Sequence, residues 1–268
     1  MRSRVFTSLA TLFIMLTALS TVFSQSPPPA NSARIFDGET LKYEGSIRKF
    51  LKGFSVADLN FYATIPPGSN ELLIRSEAVS KGTLLKLFRY SFLQQYDSSV
   101  ETDKFRILKT TKHDVQKERI RDSEAVFDYD DRRVTFVETD PRDPMRPPRR
   151  IASEIGDEAL DMISAIYALR ALPLAVGQRH EFTVSDSGLV YKIPFNVAAR
   201  EKQSSPFGKV WCLRIEPEVF GENRLIGQKG KMVIWVVDDV RHTPVRAQIS
   251  TQYGKFDIKL KSVKTKIE

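Results

Sequence analysis

Apolar and polar side chains alternate with a period of two along most of this sequence, a spacing that suits strands and gives a helix no continuous stripe. Leu41, Tyr43 and Ile47 alternate with Lys42, Glu44 and Ser46, and Ala57, Leu59, Phe61, Ala63 and Ile65 alternate with Val56, Asp58, Asn60, Tyr62 and Thr64. The pattern returns at Leu189, Tyr191, Ile193, Phe195 and Val197, at Trp211, Leu213 and Ile215, and at Val245, Ala247, Ile249 and Thr251. It returns once more at Phe256, Ile258 and Leu260, where Lys255, Asp257, Lys259 and Lys261 fill the other face, and Gly254 marks a hairpin turn between the last two runs. Strands with one dry and one wetter face build antiparallel sheet, so the expected class is α+β, dominated by β.

Residues 232–237 (MVIWVV) break the alternation, which predicts a strand covered on both faces. Helical spacing replaces it at 157–172, where Leu160, Ile163, Ile166 and Tyr167 form a stripe, Asp157 and Glu158 suit the start, and Pro173 stops the helix. Residues 83–93, after Gly82, are apolar nearly all round; helix is preferred there over strand, with Thr83 as its cap. Four Pro and four Arg within residues 140–150 (DPRDPMRPPRR) predict an exposed basic loop, because proline denies a sheet its donors.

The first residues have another logic. Arg2 and Arg4 precede an uncharged, largely apolar stretch at 5–23, and small residues around Ser24 and Ser26 suit cleavage, so 1–24 reads as a secretory signal peptide. The expected location is periplasmic or extracellular, the alternative being an uncleaved N-terminal helix that anchors the chain. Residues 25–34 (QSPPPANSAR) have the composition of a stiff linker, which leaves 35–268 as a single β-rich domain. The formal charge of the whole chain is +8, and loss of Arg2 and Arg4 leaves the mature chain basic. Lys117, Arg119 and Arg121 are expected to share one strand face and Lys255, Lys259 and Lys261 another; outside the cytoplasm such charge points to an anionic envelope surface and not to nucleic acid, since no aromatics interleave these residues as single-strand binders require.

Chemistry is sparse. The one cysteine, Cys212, closes no intramolecular disulfide and builds no thiolate zinc site. No nucleophile elbow, P-loop, dinucleotide fingerprint or zinc-protease motif occurs, and His113, His180 and His242 stand apart, so neither metal nor cofactor is expected. The most suggestive cluster is Asp238, Asp239, Arg241 and His242 after the apolar strand. Paired carboxylates beside a histidine suit acid–base hydrolysis, but a turn before Pro244, with Asp accepting backbone hydrogen bonds, is the preferred reading.

Five segments carry a resemblance: GETLKYEGS at 38–46, GFSVADLNF at 53–61, DMISAIYALRALPLAVG at 161–177, GKVWCLRIEP at 208–217 and IWVVDDVRHTPVR at 234–246. With the spacing of Asp161, Ser164, Tyr167, Leu169 and Arg170, and of Trp235, Asp238, Asp239, Pro244, Val245 and Arg246, the chain resembles the exported bacterial proteins grouped as domain of unknown function 3108. The Pro/Arg loop departs from that pattern. The resemblance implies an envelope domain similar to lipoprotein-carrier (LolA/LolB-like) folds, in which an incomplete antiparallel barrel holds a helix on its concave face; it implies no catalytic residue. The expected role is non-enzymatic binding or carriage of a lipid-like envelope component in a groove lined by Phe61, Tyr167 and Trp235, the helix around Tyr167 acting as lid or plug. Asp161, Arg170, Asp238, Asp239 and Arg246 are expected to form an ion-paired cluster that fixes helix to sheet, Arg170 meeting Asp238 or Asp239. The alternatives are a hydrolase using Asp238, Asp239 and His242, and a ligand-free interaction scaffold. Ligand identity and oligomeric state are left open.

Overall fold

The computed structural model describes residues 28–49, 52–252 and 254–266; the signal-peptide reading over 1–24 and the start of the linker lie outside them. The strands and helices follow in the order β1 (Glu39–Lys49), β2 (Lys52–Thr64), β3 (Glu71–Ser80), α1 (Gly82–Phe88), β4 (Phe92–Glu101), β5 (Arg106–Gln116), β6 (Arg119–Asp128), β7 (Arg133–Thr139) and β8 (Arg149–Glu154). Then come β9 (Ala159–Asp161), α2 (Met162–Ala171), β10 (Arg179–Asp186), β11 (Leu189–Ser205), β12 (Gly208–Pro217), β13 (Gly230–Val237), β14 (Pro244–Thr251) and β15 (Gly254–Lys264).

All fifteen strands belong to one curved sheet ordered β8-β7-β6-β5-β4-β3-β2-β1-β15-β14-β13-β12-β11-β10-β9. Every neighbouring pair is antiparallel except β9 with β10, which α2 connects in parallel. Two runs of hairpins thus grow outward from one central pair, β1 with β15. The two outer ends of the sheet approach each other without pairing: Ser153 Oγ donates to the Gly188 carbonyl at 2.7 Å. At that contact a Cβ on Gly188, whose φ is +80°, would lie 2.6 Å from the Phe136 Cβ, so the turn needs glycine for both its backbone and its clearance.

Helix α2 packs on the inner face of this sheet. Ile163, Tyr167 and Ala168 join Leu72, Ile74, Val100, Ile107, Phe127 and Phe136 in the largest core cluster, while Leu169 and Leu172 pack against Phe195, Val197, Leu213, Ile215 and Val236. The strand at 232–237 is covered on both faces at its end, because consecutive Trp235 and Val236 point oppositely and both are buried. Val236 lies under α2, and Trp235 lies under the Arg246 guanidinium and donates from Nε1 to Glu201.

Four expectations are corrected. The helix expected over 157–172 begins at Met162: Asp161 is its N-cap, in a capping box with Ser164, and Ala159–Asp161 pairs as a strand with β10. The helix expected over 83–93 ends at Phe88, and Phe92 onward joins β4. The linker read over 25–34 ends sooner, since Ser32–Phe36 forms a 3-10 turn whose Ala33 and Phe36 are buried. Lys117 occupies the β5–β6 turn, at φ +54°, and not a strand face shared with Arg119 and Arg121. The Pro/Arg loop is exposed up to the start of β8.

Candidate functional site

The residues proposed from sequence are real anchors, but they do not converge. Arg170 is fully buried, and its Nη1 and Nη2 donate to Glu39 Oε2 and Oε1, each at 2.7 Å; its Nε donates to the Arg241 carbonyl at 3.2 Å. Burial alone would lower its pKa, but the Glu39 carboxylate more than offsets this and raises it. The guanidinium also lies 4.4 Å from the ring centroid of Phe36 and 5.0 Å from that of Tyr167. Neither Asp238 nor Asp239 is its partner. Asp238 pairs with Arg200 at 2.5 Å, and Asp239 Oδ1 accepts the backbone N–H groups of Arg241 and His242, as the turn reading requires. Arg246 pairs with Asp257 at 2.6 Å, and His242 Nδ1 lies 2.9 Å from the Arg170 carbonyl. The expected single ion-paired cluster is therefore several separate pairs.

Asp161 does more than cap. Its Oδ1 accepts from the Ser164 backbone at 2.6 Å, while its Oδ2 accepts from Ser98 Oγ at 2.5 Å and Thr110 Oγ1 at 2.6 Å, which ties the helix start to β4 and β5. A cavity of about 30 Å³ lies beside it, bordered by Tyr96, Lys112 and Asp186. A second, open depression of about 500 Å³ is polar, lined by Gln95, His113, Asp122 and Glu124 among others. Phe61, Tyr167 and Trp235 line neither, and they do not share one groove. Tyr167 packs edge-on against Phe36 at 5.1 Å, Phe61 packs edge-on against Tyr43 at 5.7 Å, and Trp235 lies in a cluster with Cys212 and Val245. Burial raises the pKa of the Tyr167 hydroxyl, against the pull of Arg170.

The strand register assembles an apolar strip elsewhere on the α2-bearing face, across β2, β1, β15, β14 and β13. Residues directly opposed in a ladder share a face. One cross-strand row is Phe54, Ile47, Phe256, Ile249 and Met232, and the next is Ala57, Gly45, Ile258, Ala247 and Ile234. A third, Leu59, Tyr43 and Leu260, lies nearer α2. Ala57, Gly45 and Ala247 are small while Ile258 and Ile234 are not, so the middle row dips at β2, β1 and β14, a shallow trough between bulkier rows. Five strands spaced about 4.8 Å apart give it a length of about 19 Å. Its walls are half-buried apolar side chains, Phe54, Ile47, Phe256, Ile249 and Met232 on one side and Leu59 on the other. Leu84 of α1 closes the β2 end over Ala57, and Phe220, Leu225 and Ile226 pack near Met232 at the other. Sequence alone could not show this strip, because it exists only once β1 is paired with β15. Among the described residues no group of three or more His, Cys, Asp or Glu side chains is placed to hold a metal, and no helix is long and apolar enough to cross a membrane.

Comparison with solved structures finds the same architecture. The chain is similar to a β-barrel-like protein of the domain of unknown function DUF1849 from Brucella abortus, with a TM-score of 0.58, 10% identity, and coverage of 90% of this chain and 100% of that one. A protein from Bacteroides fragilis, provisionally named as exported and with a YmcC-like fold, matches at a TM-score of 0.29 and 8% identity over 85% of this chain and 96% of its own, a level that carries no argument. No curated protein matches. The fold, an open curved antiparallel sheet with few helices, is the one that the alternation and the resemblance led us to expect, and the model of the family described as "Protein of unknown function (DUF3108)" matches residues 41–261, so the chain belongs to that family.

Proposed function

We propose that the protein is an exported, non-enzymatic binder of a hydrophobic or amphiphilic envelope component, and that the trough over β1, β15, β14 and β13 is where the acyl part lies. The observation that carries this reading is the contiguity of half-buried apolar side chains over small residues, on the face that α2 covers only in part. A chain of methylenes laid there leaves water at about 25 cal/mol per Å² of apolar surface, with no polar group to satisfy. The α2 end is shut by the Arg170–Glu39 pair and the Tyr167–Phe36 contact, so α2 acts as a fixed plug at one end of the site.

The test is displacement of a fluorescent acyl probe from the purified chain, with native mass spectrometry of protein isolated from the envelope. Ala247→Phe, which fills the trough bed from β14, is expected to weaken probe binding at least tenfold while circular dichroism stays unchanged. Absence of probe binding and of any co-purified lipid would overturn the reading. N-terminal sequencing of the envelope-isolated protein tests export separately: a start within residues 25–27 is expected.

A further inference from the structure

We infer that the end of the sheet at the β1–β2 and β14–β15 hairpins, with the start of β13, docks onto an anionic lipid bilayer. Three segments that lie far apart in sequence meet there, because Gly230 pairs with Thr251, Thr251 with Gly254, and Arg48 with Lys255. Residues 45–57, 223–235 and 247–256 contain no Asp or Glu, yet they bring Arg48, Lys49, Lys52, Lys229, Lys231 and Lys255 to this end.

The register brings several basic residues to this end. Arg48 stands directly opposite Lys255, and Lys49 directly opposite Lys52. Lys231 is neutralised by Glu216 at 3.0 Å, while Lys229 and Lys255 are exposed and take part in no ion pair among the described residues. Other surface cations are paired, as Lys81 is with Glu44 and Asp58, and Lys109 with Glu124, although Lys104 is exposed and in no ion pair among the described residues. An unneutralised cationic rim is complementary to a layer of lipid phosphates, which attracts each juxtaposed lysine. Phe54 and Phe256 form the trough row just inside the rim, where half-buried aromatics suit the boundary between headgroups and acyl chains. The apolar trough therefore runs parallel to the rim, with this row as the wall between the two.

Vesicle co-sedimentation of the full mature chain tests this. Vesicles of phosphatidylcholine with about a third phosphatidylglycerol are compared with pure phosphatidylcholine, in low and in physiological salt. Binding to the anionic vesicles alone, falling as salt rises, is the expected result. The double variant Lys229→Gln, Lys255→Gln is expected to lower partitioning about tenfold or more, at roughly 1 kcal/mol per lysine for two sites. Lys104→Gln, in the turn before β5, serves as the control for net charge and leaves partitioning unchanged. Equal binding to neutral vesicles, no binding to either, or equal loss in the control would overturn the proposal. Docking needs the rim and not the trough bed, so Ala247→Phe retains vesicle binding; loss of acyl-probe binding with docking intact would count against the proposed function alone.

Discussion

Arg170 of α2 and Glu39 of β1 meet in a two-pronged ion pair, both bonds 2.7 Å long and both side chains wholly excluded from solvent. The pair joins the helix to the first strand of the sheet, 131 residues away. Two charges held in this way gain little net stability over an apolar pair, because each gave up its hydration; loss of one is costly, because the other stays behind unpaired.

Arg170→Ala is accordingly expected to destabilise the chain by about 3–5 kcal/mol, measured by urea denaturation. The double variant Arg170→Met, Glu39→Leu should recover most of that. A double variant no more stable than the single one would show that the pair is needed for more than charge balance.

Asp161→Ala removes a helix cap worth about 1 kcal/mol and leaves the Ser98 and Thr110 hydroxyls without their acceptor, at about 1 kcal/mol or more each, for a total of about 3 kcal/mol. Asp161→Asn keeps one acceptor oxygen and is expected to cost about 1 kcal/mol. Thermal melts of the two variants check the difference.

Lys81 and then Lys261 hold the Glu44 carboxyl down at about 2. Its folded pKa lies below the ordinary value of 4.5, so its contribution to stability is complete above pH 4.5 and is lost as pH falls through about 2. Glu44→Gln should flatten that part of the acid limb and leave stability at neutral pH lower than in the parent. Parallel acid titrations of the two proteins, with identical slopes between pH 4.5 and 2, would refute the assignment.

Cys212 is buried, and burial pushes its thiol up to about 11. At pH 8 it is expected to react with a disulfide reagent at least a hundredfold more slowly in the native protein than in urea, a ratio read directly from absorbance traces.

Gly45 sits within β1 with ordinary backbone angles, and a Cβ there would lie 3.5 Å from the Ala57 Cβ and from Leu59 Cδ1, a normal contact. Gly45→Ala should therefore raise stability by about 0.5 kcal/mol through the restricted unfolded chain, seen as a higher Tm.

Legibility in the sequence followed the inward-facing side chains. Strands at 41–65 and 189–261 announce themselves because their inward positions are apolar. Those at 71–154 do not: inward-facing Ser76, Gln94, Tyr96, Ser98, Thr110 and Lys112 interrupt the alternation, yet Ser98 and Thr110 are there to bind Asp161. The helix expected from 157 begins five residues later because apolar spacing runs through β9 into the helix; the Asp161–Ser164 capping pair is the local signal that marks the true boundary. The partner of Arg170 left no such signal. Glu39 lies far off in the chain, whereas the Asp238–Asp239 turn is close by motif and was already satisfied by its own backbone and by Arg200.

The central pairing of β1 with β15 makes the order of assembly unusual. Every other ladder joins strands that follow each other along the chain, whereas this one joins Thr40 to Lys264 and closes a loop of nearly the whole protein. Neither run of hairpins gains its central neighbour until β15 has been made, so a growing chain carries an open sheet edge at β1 until then. Lys266, the last described residue, already reaches back to Asp37 just ahead of β1, its Nζ lying 3.3 Å from Asp37 Oδ2. The one pair of consecutive strands that are not partners is β8 and β9, the two margins of the sheet. A circular permutant opened after Gly156, with a short linker from Lys266 back to the segment before Ser32, would turn the slow closure into one more hairpin, and every strand would then meet its neighbour as soon as it was made.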